Sequence, residues 1–260
     1  MARKGSIRGL KRSKAPKLWR IARKEKKWTI NPHPGPHNRE AIPLAFILRD
    51  YLGYAHTLRE AKRILNERKV KINGKVRTDF KFPVGLMDVV EISQTEEFYR
   101  VMPNIKGAPV LYPITEKEKH FRPLKIVGKY VGKGGKTQLR FHDGTVLLVD
   151  NGGKKKKKKR TEKEEKEGEV RVKVKKEKID YKTFGTLVYD FESHCILEYF
   201  PFTEGNIAMV TRGRNVCKTG RIASVKESIV EIEGEELFRT LKENVLVVGT
   251  TESIISLPGG

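Results

Sequence analysis

The sequence contains few acids, almost no cysteine and no long apolar run, and each shortage excludes a class of protein. Thirty-two Asp and Glu face 55 Lys and Arg, for a formal net charge of +23. The two cysteines, Cys195 and Cys217, lack the paired spacing of a metal site, so we expect free thiols in a reducing cytoplasm. Because no apolar run approaches ~18 residues, we expect no membrane-spanning helix, and no hydrophobic signal-peptide core follows the basic start.

Motifs for catalysis and nucleotide binding are also missing. The glycine-rich stretch at 133–136 lacks the Lys-Ser/Thr ending of a P-loop, and a flexible turn that touches RNA backbone is the better interpretation. His142-Asp143 has no identifiable nucleophile, and Asp143-Gly144 suits the turn of a hairpin. His33 and His37 have no Cys or further His nearby. We therefore predict no catalytic residue, no metal, no cofactor and no small-molecule substrate.

Positive charge is what the chain has in excess. Its net charge of +23 and pI near 9.9 exceed the net charge of roughly 2–8 that suffices for a small soluble domain. A polyanionic partner is the direct interpretation, because cations that neutralise phosphates release condensed counterions. An anionic membrane surface is the weaker alternative.

The first 28 residues form a basic arm, in which twelve cations face a single acid, Glu25. Such a segment repels itself, so we expect it to be disordered alone and ordered on RNA. Both tryptophans, Trp19 and Trp28, lie in the arm and either anchor it to the globular body or stack on a base. The arm residues predicted to bind RNA are Arg8, Lys11, Arg12, Lys14, Lys17 and Arg20.

A stiff connector follows the arm at residues 31–38, where three prolines and a glycine exclude helix and central strand. Its His37 is predicted to hydrogen-bond RNA phosphate or backbone.

Residues 42–92 predict a helix–helix–hairpin unit. A first helix should run from Ile42 to Leu52, with Pro43 in its first turn and a stop at Gly53. Thr57 stands three residues before Glu60, the spacing of a capping box, so a second helix should run from 58 to about 68. A hairpin should follow, with its turn at Asn73-Gly74. The predicted core is Leu48, Leu52, Leu58, Ala61, Leu65, Ile72, Val76 and Val89.

The second helix and the hairpin carry a cationic surface, and a helix start offers free N–H groups to a phosphate. The alternative is that these are ordinary solvated charges. The residues predicted to bind RNA here are His56, Thr57, Arg59, Lys62, Arg63, Lys69, Lys71, Asn73, Lys75 and Arg77.

The rest of the chain predicts strands around one low-complexity insertion. Alternating apolar residues place strands at 110–114, 124–131, 137–141, 146–149, 186–191, 196–200, 229–232 and 246–248. The low-complexity segment 152–178 begins with a run of six lysines and Arg160. It either contacts additional RNA or is a solvated insertion. Residues 170–174 alternate between valine and charged residues, as a strand would. Between residues 202 and 225, alternating hydrophobic residues surround glycines. The cations of the predicted loop could bind RNA phosphate or a neighbouring protein, and they are Arg212, Arg214, Lys218 and Arg221. The alternative is a purely structural barrel.

Two motifs resemble known RNA-binding modules. Leu52-Gly53-Tyr54-Ala55, Thr57, Glu60-Ala61 and the stretch 71–76 resemble the alpha-L RNA-binding motif, and residues 202–225 resemble a KOW motif, the core of a small SH3-like barrel. The whole chain resembles a family found in archaea and eukaryotes, small-subunit ribosomal protein four, e-type, and it fits the archaeal form best. Further residues that carry this resemblance are Gly35-Pro36-His37-Asn38, 82–90 and 255–258. It departs at Leu44-Ala45-Phe46, where many alpha-L members have a basic–Leu–Asp triplet, and at Cys217, where relatives often have Gly.

The resemblance implies an α+β, mostly β, multidomain protein. The predicted domains are a basic extension at 1–41, an alpha-L domain at 42–105, a central β domain at 106–200 and a KOW barrel with tail at 201–260. The implied function is that of a structural constituent of the small ribosomal subunit, cytoplasmic and not an enzyme. Its expected partners are small-subunit rRNA and neighbouring ribosomal proteins, without a membrane and without a second copy of itself.

Two other classes remain open from the sequence. An RNA-modifying enzyme could use the alpha-L unit for docking, but it would need a larger catalytic domain with its own Asp motif. A mobile translation or stress factor is harder to exclude, and stoichiometric presence in salt-washed small subunits would separate it from a constituent.

Overall fold

The computed structural model describes residues 9–37, 41–132, 136–150 and 180–257. Within these residues the protein is mostly β, with few and short helices, and its strand pairs are antiparallel. The predicted class, mostly β with a small helical part, is confirmed. Arg8, the glycines at 134–135 and the whole insertion at 152–178 lie outside the described residues.

The basic arm packs on the first domain instead of standing apart. Strands β1 (Leu10–Lys11) and β2 (Trp28–Thr29) pair, and a 3-10 turn (Arg12–Lys14) follows β1. Trp19 is buried and meets the Phe46 ring edge-on, with 5.5 Å between centroids. The expectation of a disordered arm is therefore wrong for residues 9–28, the described part of the arm, and Trp19 is an anchor.

The helical part begins after a short pair of strands, β3 (Ile42–Pro43) and β6 (Pro83–Val84). Helix α1 (Leu44–Phe46) continues as a π-helical stretch (Ile47–Tyr51), and α2 spans Leu58–Asn66. The predicted first helix thus begins two residues late, because Ile42 and Pro43 are extended and pair with β6. Leu44, Ala45 and Phe46 are all buried, so this triplet belongs to the core.

The predicted local signals around α2 are confirmed. Gly53 has φ +75° beyond the first helix, and Thr57 with Glu60 forms the capping box. On the inner face of α2, Ala61 and Leu65 are fully buried.

The first five-stranded sheet has the order β5-β4-β7-β8-β9. Its strands are β4 (Val70–Ile72), β5 (Lys75–Val76), β7 (Val89–Ile92), β8 (Glu97–Pro103) and β9 (Pro109–Pro113). Asn73 and Gly74 both take positive φ in the predicted hairpin turn. Val76 is 43% exposed, so its assignment to the core is wrong: β5 is an edge strand whose side chains face solvent.

Two further five-stranded sheets follow, confirming the predicted strands outside the insertion to within a few residues. The central sheet has the order β12-β11-β10-β13-β14, with β10 (Phe121–Val131), β11 (Lys136–Phe141), β12 (Val146–Asp150), β13 (Thr186–Asp190) and β14 (Ile196–Phe200). The last has the order β18-β17-β16-β15-β19, with β15 (Ile207–Val210), β16 (Thr219–Lys226), β17 (Ile229–Glu233), β18 (Leu237–Leu241) and β19 (Val245–Gly249).

Buried contacts join the three sheets. Met87 and Met102 from the first sheet region pack with Met209 and Leu246 of the last in one apolar cluster. The Lys125 ammonium on β10 donates to the carbonyl oxygens of Glu243 and Val245, each at 2.6 Å. These contacts pack the three sheets against one another.

Candidate nucleic-acid interface

The start of α2 is capped from within the protein. Oγ1 of Thr57 accepts from the Glu60 N–H at 3.2 Å, and the Glu60 carboxylate accepts from the His56 N–H at 2.8 Å. The backbone hydrogen bond from His56, followed by the one from the Thr57 hydroxyl, lowers the pKa of Glu60. An acceptor already occupies the position where a phosphate contact was predicted. Thr57 and His56 therefore position the helix rather than offer it to a ligand.

The outward face of α2 carries the cationic residues Arg59, Lys62 and Arg63, all exposed. The Lys62 ammonium lies 4.3 Å from the centre of the Phe80 ring, a cation–π contact that holds this side chain beside the helix. Arg63 has a 3.4 Å ion pair with Glu67 but stays 84% exposed. The predicted cationic face is thus present on a helix whose opposite face is fixed in the core.

The hairpin divides the predicted cations into two groups. Lys69 and Lys71 are paired with acids, Glu67 at 2.6 Å and Glu91 at 2.8 Å respectively, so part of their charge is offset. Lys75 is exposed at the turn.

Arg77 and Asn73 have internal contacts as well. The Arg77 guanidinium lies 4.4 Å from the centre of the Phe82 ring. Asn73 turns inward, donating to Asp88 at 2.7 Å and accepting from the Val89 N–H at 2.9 Å, so its amide shapes the turn. Phe80 and Phe82, which the sequence analysis missed, support Lys62 and Arg77. The sequence signal that could have indicated them is the presence of aromatic and basic residues side by side at 77–82.

The arm contributes an exposed cationic strip with one internal exception. Lys11, Lys14, Lys17 and Arg20 are exposed. Arg12 is instead buried, and its guanidinium donates to the backbone carbonyls of Ile21 and Ala22 at 2.7 and 3.0 Å. Its prediction as an RNA ligand is overturned by this internal role.

Trp28 is the exposed aromatic of the arm. It is 56% exposed, and the ammonium groups of Lys11 and Lys27 lie 6.0 and 5.9 Å from its ring centre. Of the two roles considered for the tryptophans, anchoring fits Trp19, and Trp28 keeps a ring face for stacking.

His37 is in the interior, not at the surface where the sequence placed it. Its Nε2 lies 2.7 Å from Oδ2 of Asp88. Arg122 bridges Asp88 and Asp143, with 2.7 Å contacts to each. Burial disfavours the imidazolium, but the Asp88 charge outweighs it and raises the pKa of His37. The predicted phosphate contact of His37 is therefore replaced by a buried ion pair.

The loop between β15 and β16 carries Arg212, Arg214 and Lys218, whereas Arg221, predicted on the same loop, lies on β16. Arg212, Arg214 and Arg221 are exposed, and the Lys218 ammonium lies 5.4 Å from the Phe238 ring centre. Cys217, the departure from the family pattern, has φ +72°, a conformation that favours glycine.

No group of three or more His, Cys, Asp or Glu residues able to hold a metal ion occurs in the described part of the chain. The same residues contain no helix long and apolar enough to cross a membrane. Cys195 and Cys217 are free thiols. What the described surface offers is an exposed cationic face, a basic arm with an open indole and a basic loop.

Comparison with known proteins agrees with this class of surface. The ribosomal family S4e matches residues 95–196, the RS4NT (NUC023) domain residues 4–40 and the S4 domain residues 43–90. The small ribosomal subunit protein eS4 of Aeropyrum pernix is 38% identical over 100% of this chain and 99% of its own length. That of Methanothermobacter thermautotrophicus is 38% identical, with 100% of both chains covered.

A solved structure has the same architecture. The crystal structure of the 30S ribosomal protein S4e from Thermoplasma acidophilum is similar with a TM-score of 0.64 and 30% identity, covering 82% of this chain and 96% of that one. These similarities show that the chain is a ribosomal protein that contains an S4 domain. The chain belongs to the ribosomal family S4e.

Proposed function

We propose that this chain binds small-subunit rRNA mainly through the outward face of α2. As a member of the ribosomal family S4e, it is a structural constituent of the small ribosomal subunit and not an enzyme. The observation that carries the proposal is the exposed trio Arg59, Lys62 and Arg63 on a helix whose inner residues Ala61 and Leu65 are fully buried. The packed helix holds the three cations together on one face, where they can neutralise neighbouring phosphates. The chain is accordingly located on cytoplasmic ribosomes, with rRNA and neighbouring ribosomal proteins as partners, and we propose that it does not form homo-oligomers.

The two helices and the β4–β5 hairpin form the alpha-L unit in this proposal. A-form RNA is recognised largely by its shape and backbone, because side chains cannot enter its deep major groove. We therefore assign the exposed Lys75 and the half-buried Arg77 to RNA contacts beside those of α2, with Lys69 and Lys71 in a weaker role because of their acidic partners.

The arm and the last sheet supply secondary contacts. Lys11, Lys14, Lys17 and Arg20 are exposed on the arm, and we assign the exposed Trp28 ring to stacking on a base. We assign the last sheet to a KOW SH3-like barrel, with Arg212, Arg214 and Lys218 on its loop and Arg221 on β16 as its RNA-facing or protein-facing cations. The domain division at 1–41, 42–105, 106–200 and 201–260 belongs to the same proposal, and Arg8 would extend the arm.

Crosslinking tests this function directly. Cells would be irradiated, the protein purified under denaturing conditions and the attached RNA sequenced. We expect crosslinks concentrated on a few adjacent small-subunit rRNA segments, at peptides from the arm and from α2. Crosslinks spread over tRNA or many transcripts would contradict the proposal and favour a mobile RNA-binding factor.

A further inference from the structure

A cleft of about 510 Å³ separates the β4–β5 hairpin from the central sheet. Its walls include three aromatic rings, those of Phe82, Tyr189 and Phe191, and the cations Lys75 and Arg77 also line it. Tyr189 and Phe191 are partly exposed, although aromatic rings of this size are usually buried. None of these sheet residues was singled out from the sequence.

Arg122 also lines the cleft and carries a donor without a partner. Its side chain is 9% exposed, and its terminal nitrogens bind Asp88 and Asp143 at 2.7 Å each. Within the described residues, its buried Nε has no hydrogen-bond partner, and the same holds for Nε of Arg77. Both Nε atoms are shielded from the cleft by the atoms around them, so what a ligand meets there is mainly the partly exposed rings of Tyr189 and Phe191.

The aromatic walls of the cleft favour a nucleobase. Asp88 and Asp143 are at most 1% exposed and together offset the Arg122 charge. A nucleobase has an uncharged ring face that can lie against aromatic walls, whereas a phosphate alone would leave them unused. Single-stranded bases are commonly recognised by stacking on aromatic rings or guanidinium planes and by hydrogen bonds to their edges.

We propose that this cleft receives one unstacked nucleobase of small-subunit rRNA. The base lies against the Phe191 and Tyr189 rings, beside the Arg122 and Arg77 side chains, and Lys75 faces the flanking phosphate. This inference rests on the proposed function, because it assumes that the partner is rRNA. The remaining proposed surface contacts the RNA backbone, and this cleft would add a site that selects an extruded nucleotide.

The matched pair Phe191→Ala and Tyr130→Ala tests the site in the full-length protein. Tyr130 is a control because it is an aromatic of the same sheet, 54% exposed, and it does not line the cleft. Affinity would be measured by filter binding to an in vitro transcript of small-subunit rRNA, with circular dichroism to verify folding. We expect Phe191→Ala to weaken binding about tenfold, as loss of one base–aromatic stack does, and Tyr130→Ala to leave it unchanged.

A second variant fills the cleft without removing an aromatic wall. Gln138 is half-buried on β11 and lines the cleft, so Gln138→Trp should occupy the space of the base and weaken binding to a similar extent. In ultraviolet-irradiated small subunits, the peptide that contains Tyr189 and Phe191 should carry a single nucleotide.

Equal affinities of Phe191→Ala, Gln138→Trp and the wild type would overturn the base site, as would a crosslink from this peptide to another protein. The Arg59, Lys62 and Arg63 triple alanine variant, measured on the same transcript, separates the two proposals. If it weakens binding while the cleft variants do not, only the base site fails. If it has no effect either, the proposed rRNA contact of α2 fails too.

Discussion

The His37 imidazole lies 2.7 Å from the Asp88 carboxylate, and both side chains are at most 3% exposed. The same carboxylate accepts from Arg122 and from Asn73, each at 2.7 Å. One buried anion therefore joins the connector after the arm, the hairpin turn and the central sheet. The Asp88 contacts therefore hold the hairpin, which carries Lys75 and Arg77, against the connector and the central sheet.

The His37–Asp88 pair should make stability depend on pH. Asp88 raises the pKa of His37 above its ordinary value of 6.5 despite the opposing effect of burial. The folded state then binds more protons than the unfolded state between 6.5 and the raised pKa. We expect the stabilising contribution to be complete below pH 6.5 and to be lost as the pH rises through the raised pKa.

The low-pH limit comes from Asp88, whose pKa is lowered because His37 and Arg122 outweigh burial. Its contribution is present above its ordinary pKa of 3.8 and lost as the pH falls through the depressed value. Urea unfolding from pH 4 to 9 would be compared between wild type and His37→Gln, in which the amide can still donate to Asp88 but does not titrate. If the free energy of unfolding depends on pH in the same way for both proteins above pH 6.5, the pH dependence does not come from His37.

Arg122 neutralises two buried carboxylates, so Arg122→Met should be strongly destabilising. Leaving Asp88 and Asp143 without their shared cation should lower the free energy of unfolding by about 3–5 kcal/mol at pH 7. Adding Asp143→Asn should recover part of this loss, because it removes one uncompensated charge. Chemical denaturation is the measurement, and Arg63→Ala, which breaks an exposed pair with Glu67, is a control expected to show little change. A loss as small as that of the control would show that the Arg122 bridge is energetically unimportant.

Cys217 adopts φ +72°, so its side chain carries a backbone cost that glycine avoids. We expect Cys217→Gly to stabilise the protein by up to about 1 kcal/mol, since the left-handed conformation costs a residue with a Cβ about that much. Cys217→Ala is the matched control because alanine keeps the Cβ and the same cost. Thermal unfolding under reducing conditions would compare the three proteins, and equal melting temperatures for the Gly and Ala variants would rule out backbone strain at this position.

Replacing Arg59, Lys62 and Arg63 together by Ala should weaken binding to small-subunit rRNA by at least about thirtyfold, because three charge-assisted contacts are lost. The slope of log affinity against log salt should become shallower by about 3, one unit for each phosphate contact. Filter binding at several salt concentrations measures both. A Lys226 and Arg239 double alanine variant, whose cations lie beside Glu231 on the last sheet, should bind like the wild type. If the triple variant keeps its affinity and its circular dichroism spectrum, α2 is not an RNA contact.

Local rules explain which structural predictions were confirmed. The capping box at Thr57 and Glu60 and the Asn73-Gly74 turn are specified by residues within a few positions of one another. The strands of the two later sheets likewise follow from short alternating apolar runs. The errors at Pro43 and Val76 arose where pairing decided the outcome, since β3 pairs with a distant strand and β5 lies at a sheet edge.

The sequence by itself determined the character of this protein: its excess of cations, its local helix and turn signals and its resemblance to a ribosomal family. Only the tertiary structure decided which polar residues face solvent. Arg12 and His37 looked like RNA ligands because of their type, yet buried carbonyls and Asp88 engage them. The cleft beside Arg122 is likewise formed by residues from distant strands. A side chain's accessibility depends on contacts across the whole fold, and no local pattern records them.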